Sequence, residues 1–290
     1  MTGCYALPTA HRICNADAGS ARHDVNMDIS PSLLRGLLLA IIFTGPLLAG
    51  GPLAQTVVAP LAGTLTVGSS GSRIEGSGRE TDNVRAVGSF SAVRASGPID
   101  IELKASEREQ VTVHFDDNLA ALIETRVVQD SAPTLDIRIN PTAGFRSSKP
   151  PRVTVEFRTL SALSLRGSGD VRADRVKGPI LAIAMAGTGD VRIDHLDVDV
   201  LGVSISGSGD FTAAGRAAEQ GFSISGSGDV TAGELIGQTV KVRVAGSGDV
   251  RVHAEQMLDV AIAGSGDVLY RGSPVIRKSV AGSGEIRRLN

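Results

Sequence analysis

The stretch SISGSGD at residues 204–210 recurs unchanged at residues 223–229. Both copies belong to a longer series. The pattern G-[ST]-G-[DE] begins at Gly167, Gly187, Gly207, Gly226, Gly246, Gly264 and Gly282, at intervals of 20, 20, 19, 20, 18 and 18 residues. Intervals of this size fit one coil of a solenoid and are too short for a helix pair. Two residues before the first glycine stand Leu165, Met185, Ile205, Ile224, Val244, Ile262 and Val280, and four before it stand Leu163, Ile183, Val203, Phe222, Val242 and Val260. Apolar residues at every second position mark a strand with one buried face. Four residues after that glycine come Val171, Val191, Phe211, Val230, Val250, Val268 and Ile286, so a second strand starts as soon as the motif ends. The motif is therefore a corner between two strands.

These features predict an all-β fold, a right-handed parallel β-helix with about 18–20 residues per coil and a less regular β segment before it. Each coil would pair with the next and stack equivalent side chains about 4.8 Å apart, giving continuous aliphatic columns. Small residues directly before the motif (Ala186, Ser206, Ser225, Ala245, Ala263 and Ala281, with Arg166 the exception) suggest crowding at the bend. Lys278 and Arg288 occupy places that are mostly small or apolar in earlier coils, which predicts a charged cap protecting an open strand edge.

The composition suits such a core. Hydrophobic residues are 42% of the chain, with no Trp, two Tyr and seven Phe against 35 Gly, so the interior must come from Val, Ile, Leu and Ala. A formal charge of −2 gives no electrostatic reason to expect nucleic acid as a partner.

The N-terminal region indicates export. Arg35, the apolar run from Gly36 to Leu48 and the segment AGGPLAQ together resemble a secretory signal cleaved after Ala54, although Pro52 falls three positions before the cut. Gly45 and Pro46 interrupt the run, which is short for a bilayer span, so no transmembrane segment is expected after cleavage. Met27 lies just upstream, suggesting that the first 26 residues precede the true start. Both cysteines, Cys4 and Cys14, fall before the cut, leaving a mature chain without disulfides. The domain plan is thus a signal over residues 1–54, a Gly/Ser-rich linker over 55–84, in which GSGR at Gly76 lacks the acid, and a β-solenoid domain over 85–290. Within that domain, DNLAALIETRVV is expected to hold one short helical turn among strands.

The order of segments resembles a known family. VGSFSAVRASGPIDIEL at residues 87–103, then VTVHFDDNLAALIETRVV, TLDIRI, and PPRVTVEFRTLSALSLRGSGD with its following coils resemble the putative auto-transporter adhesin "head GIN" domain. The resemblance implies a β-helical fold and an exported location at the periplasm or cell surface, and it carries no catalytic residues to transfer. No C-terminal membrane barrel is legible in the sequence.

The motif acids Asp170, Asp190, Asp210, Asp229, Asp249, Asp267 and Glu285 form one column. Three roles compete for it. The preferred one is structural: glycine supplies the turn, and the carboxylate accepts nearby backbone N–H bonds. Neighbouring charges about 5 Å apart repel by roughly 0.8 kcal/mol in water, which requires an exposed column. The second is calcium binding, since glycine-rich turns ending in Asp resemble calcium-binding nonapeptide rolls, although those repeat at half this interval. No other cofactor is expected. The third is glycan cleavage, which needs two acids in unlike environments, whereas these acids repeat identically. His114, His195 and His253 are scattered and read as ordinary strand or surface residues, and Phe211 and Phe222 read as core. The functional expectation is an exported, non-enzymatic structural or adhesin-like module. Its partners would be cell-surface polysaccharide, another envelope protein or a second copy of itself. The alternative is a polysaccharide lyase or hydrolase on the same scaffold.

Overall fold

The computed structural model describes residues 73–140 and 144–289. The signal, Met27, both cysteines and most of the linker lie outside the described residues. From Val171 onward each interval between corners is one extended strand: Val171–Gly187, Val191–Gly207, Phe211–Gly226, Val230–Gly246 and Val250–Gly264. A turn at Gly272 divides the next interval into Val268–Arg271 and Val275–Gly282, and Ile286–Arg288 follows the last corner. All of these pair in parallel with their neighbours, and the corner glycines stand in register from Gly167 to Gly282. The chain is a β-solenoid of stacked parallel coils.

The expected columns form. One contains Ile137, Ala95, Leu165, Met185, Ile205, Ile224, Val244 and Ile262, all buried. On the other side of the corner, Val153, Ile101, Val171, Val191, Phe211, Val230, Val250 and Val268 do the same. Phe211 and Phe222 pack inside with ring centroids 6.2 Å apart. The residues directly before the motif, by contrast, face outward: Arg166, Ser206, Ser225, Ala245, Ala263 and Ala281 are exposed. Crowding does not explain their small size, because the strand alternation points them into solvent.

Unequal intervals are absorbed away from the corner. The ladder slips between Ile193 and Leu196, between Thr212 and Ala214, between Ala232 and Ile236, and between Gly237 and Thr239, so coils of different length still bring their motifs into line. Beside one slip, Gln220 takes an inward position between Leu201 and Val240. Its amide donates to the carbonyls of Leu235 (3.0 Å) and Ala217 (3.2 Å), which supplies partners where the ladder is interrupted.

The N-terminal segment joins the stack out of chain order. Ala92–Ser96 and Asp100–Ala105 form a coil directly beneath Ala162–Gly167 and Val171–Ala173. The chain then passes below that coil, where Pro133–Ile139 and Arg152–Phe157 pair in parallel with its underside. Ile123–Gln129 adds antiparallel to Pro133–Ile139, while Gln110–Asp116 and then Glu80–Ala86 add antiparallel beyond Arg152–Phe157. The one short helical turn is a 3-10 turn at Ala120–Leu122. Residues 80–84, assigned to the linker from composition, are thus paired strand. Their alternation is masked because the strand is mostly exposed on both faces.

The GSGR segment is also tied down. The Ser77 hydroxyl donates to Asp117 (2.5 Å), Asn118 accepts the Ser77 N–H (3.0 Å), and Arg79 pairs with Asp117 (2.8 Å). Among the described residues no helix is long and apolar enough to cross a membrane.

Candidate functional site

At each corner the first glycine has positive φ, for example 136° at Gly207 and 135° at Gly226, a conformation that costs other residues strain. The second glycine is required for a different reason. A Cβ on Gly209 would overlap the backbone carbonyl of Gly189 in the coil beneath. The chain turns so closely on the previous coil that only hydrogen fits.

This close approach places the acids in a hydrogen-bonded ladder. The Asp190 N–H donates to Asp170 Oδ1 (3.0 Å), Asp210 to Asp190 (2.8 Å), Asp229 to Asp210 (2.8 Å), Asp249 to Asp229 (2.8 Å), Asp267 to Asp249 (2.9 Å) and Glu285 to Asp267 (2.8 Å). Each carboxylate therefore holds the corner above it through one oxygen. The side chains are exposed or half-buried, so water screens the repulsion between successive charges. Among the described residues no group of three or more His, Cys, Asp and Glu side chains is arranged to hold a metal ion.

The ladder has an earlier rung that motif matching misses. The Asp170 N–H donates to Asp100 Oδ1 (3.2 Å), and Asp100 ends the segment Gly97-Pro98-Ile99-Asp100, in which Gly97 again has positive φ (104°). Ile99 stands where later corners need glycine. The chain beneath it follows a different path, with the Asp100 N–H donating to the Pro151 carbonyl, and the Ile99 side chain is fully buried. The spacing from Gly97 to Asp100 was the available signal.

A second cluster lies beside the first coil, on four adjacent strands. His114 Nδ1 lies 2.6 Å from Asp82, and its Nε2 lies 3.0 Å from the Thr154 hydroxyl. Thr154 in turn donates to Glu102 (3.2 Å), which pairs with Lys104 (3.2 Å). These side chains line an open concavity of about 410 Å³ together with Glu80, Val84, Thr112 and Arg152. Only strand pairing unites residues so far apart in sequence, which hid this cluster from motif reading. His253 contacts Glu255 within its own strand, and His195 is exposed.

With this geometry in hand, the comparisons with known proteins are direct. The chain belongs to the family described as "Putative auto-transporter adhesin, head GIN domain", which it matches over residues 89–274. A solved structure described as a putative adhesin from Bacteroides fragilis NCTC 9343 is 29% identical, with a TM-score of 0.71 over 74% of this chain and 100% of that one. One described as a putative lipid binding protein from Parabacteroides distasonis ATCC 8503 is 26% identical, with a TM-score of 0.61 over 75% of this chain and 100% of that one. A putative adhesin from the same organism, 23% identical with a TM-score of 0.59 over 75% of this chain and 100% of that one, shares the fold. A search of curated proteins found no match.

Proposed function

We propose that this protein is an exported, non-enzymatic binding module of the bacterial cell envelope, with cell-surface polysaccharide or another envelope protein as its partner. The observation that carries the reading is the ladder itself. Every motif aspartate is bonded in the same way to the backbone of the next coil, so the most conspicuous acids act as structural posts. The corner also separates two unlike faces. One presents Ser164, Ala184, Ser204 and Ser223 in a row, and the other presents Glu102, Arg172, Arg192 and Thr212. Long faces of regular spacing suit contact with an extended or repetitive partner. The family name and the adhesin descriptions of the relatives support this role. The description of the Parabacteroides relative adds lipid to the ligands worth screening.

One observation favours a glycan-cleaving enzyme: the concavity holds Asp82 and Glu102 in different hydrogen-bonding environments. Against it, their side chains are 70% and 41% exposed, whereas a general acid needs a desolvated carboxyl. Incubating the full chain with a polysaccharide panel and with lipid vesicles, and measuring both retention and release of new sugar ends, separates the readings. Retention without cleavage supports a binding module. Turnover that disappears in Asp82→Asn or Glu102→Gln would make it an enzyme.

A further inference from the structure

The last coil departs from every other. All residues of Val275–Gly282 are exposed, including Ile276 (37%) and Val280 (41%), whose counterparts one coil below, Leu258 and Ile262, are buried. Among the described residues this strand pairs on one side only, with Val250–Gly264. Its other edge repeats the groups that earlier coils use to bind the next one. The Ala182 N–H bonds the Ser161 carbonyl, and the Thr188 N–H bonds the Gly167 carbonyl. Stacked above those acceptors in register are Ile276 and Gly282. Glu285 ends the acid ladder: no further N–H reaches its carboxylate among the described residues, and Arg287 Nε stands 3.4 Å away.

Charge selects what this edge can accept. Between Val275 and Leu289 the chain carries Arg277, Lys278, Arg287 and Arg288 against the single acid Glu285. Lys278 sits directly above Val260, in a column that is apolar in every coil below it. A second copy is a poor occupant, because antiparallel self-pairing with matched faces sets Lys278 opposite or diagonal to its own counterpart, and like charges there repel. A membrane surface would attract the cations but leave the edge amides and carbonyls without ordered partners.

We propose that the Val275–Glu285 edge docks an extended segment of a partner protein by strand addition. The segment carries an acid between two apolar residues at alternate positions. Its apolar side chains cover Ile276 and Val280, its acid pairs with Lys278, and its backbone continues the ladder, which is the β-augmentation mode of recognition. This inference rests on the open edge and not on the ligand of the long faces, so finding an enzymatic activity would leave it standing.

The test uses the full chain and the labelled peptide Thr-Val-Thr-Glu-Thr-Val-Ala-Gly-Ser-Gly-Asp in fluorescence anisotropy. Saturable binding is expected. Lys278→Glu should weaken it by about tenfold or more, the scale of one desolvated charge pair, and a peptide with Lys in place of its Glu should recover affinity for that variant. Proline in place of the threonine after the peptide's Glu removes a donor aimed at the edge and should abolish binding. Absence of saturable binding, or equal affinity for the Glu- and Lys-centred peptides, overturns the proposal. So does dimerisation in sedimentation that Val280→Asp abolishes, which would make a second copy the occupant. Binding to phosphatidylglycerol vesicles that the same variant abolishes, with no peptide binding, would make the occupant a lipid surface.

Discussion

The two ends of the solenoid solve the same problem differently. A stack of parallel coils leaves an unpaired strand edge and an uncovered slice of core at each end. At the N-terminal end the chain covers the core by adding antiparallel strands beneath the first coil, so that Ile137 at the bottom of its column is fully buried, and the unpaired edges move out to Ile123–Gln129 and Glu80–Ala86. At the C-terminal end of the same column Val280 is 41% exposed, and among the described residues no strand pairs with the outer edge, which carries Arg277 and Lys278. Covering strands leave no apolar slice of core for an incoming segment, whereas the charged edge over exposed Ile276 and Val280 excludes like-charged segments and admits complementary ones.

The interior coils set the scale against which the ends are judged. Gly209→Ala drives a Cβ into the backbone of the coil beneath, where neither coil can yield, and should cost more than about 4 kcal/mol or prevent folding. Gly78→Ala, in an N-terminal turn with open space around it, should cost about 1 kcal/mol for its positive φ. Urea unfolding of both variants measures the difference, and equal losses would mean that the corner can relax.

The contrast between the ends is tested next by truncating one column at its two limits. Ile137→Ala should lose about 3 kcal/mol, while Val280→Ala should lose less than about 1 kcal/mol. A large loss at Val280 would show that the C-terminal end is covered in solution.

The N-terminal closure also depends on Arg85, which donates to the carbonyl of Ala120 (2.8 Å), to Thr125 Oγ1 (3.1 Å) and to the carbonyl of Ile123. Desolvation by burial pulls its guanidinium below the usual arginine value, yet it stays charged at neutral pH. Arg85→Met should cost about 2 kcal/mol by stranding those acceptors. Hydrogen exchange should rise in residues 119–129 before the coils respond.

In the ladder, Asp210→Ala should cost about 1 kcal/mol and Asp210→Asn less, because the amide oxygen can still accept the Asp229 N–H. Differential scanning calorimetry of these variants also tests the calcium role. A rise in Tm at millimolar calcium that vanishes in an Asp210→Asn, Asp229→Asn double variant would assign the outer carboxylate oxygens to a cation.

The smallest effect concerns pH. The Ser77 hydrogen bond, with the Arg79 charge beside it, holds Asp117 below its ordinary value of 3.8. The stabilisation from this tie is complete above that value and is lost as the pH falls through the lower folded one. Faster exchange at residues 74–79 on acidification, with the coils unchanged, is the expected signature.

The sequence alone determined the coils. A buried face of period two, glycines where the backbone turns, and an acid at a fixed offset are local requirements repeated once per coil, so repetition itself made the columns and the corners from Gly167 to Gly282 legible. It also indicated that the acids hold the corner, because a role shared by every coil leaves none of them distinctive. Tertiary structure decided what is not repeated. It placed Asp100 in the ladder despite Ile99, turned residues 80–84 from linker into edge strand, and assembled Asp82, His114, Thr154 and Glu102 from four strands. The N-terminal chain stacks out of order, and pairing between distant strands leaves no periodic mark on the sequence. The C-terminal edge is divided between the two: Lys278 and Arg288 marked a charged cap in the sequence, while the exposure of Ile276 and Val280 depends on which neighbours are present, which their own strand does not encode.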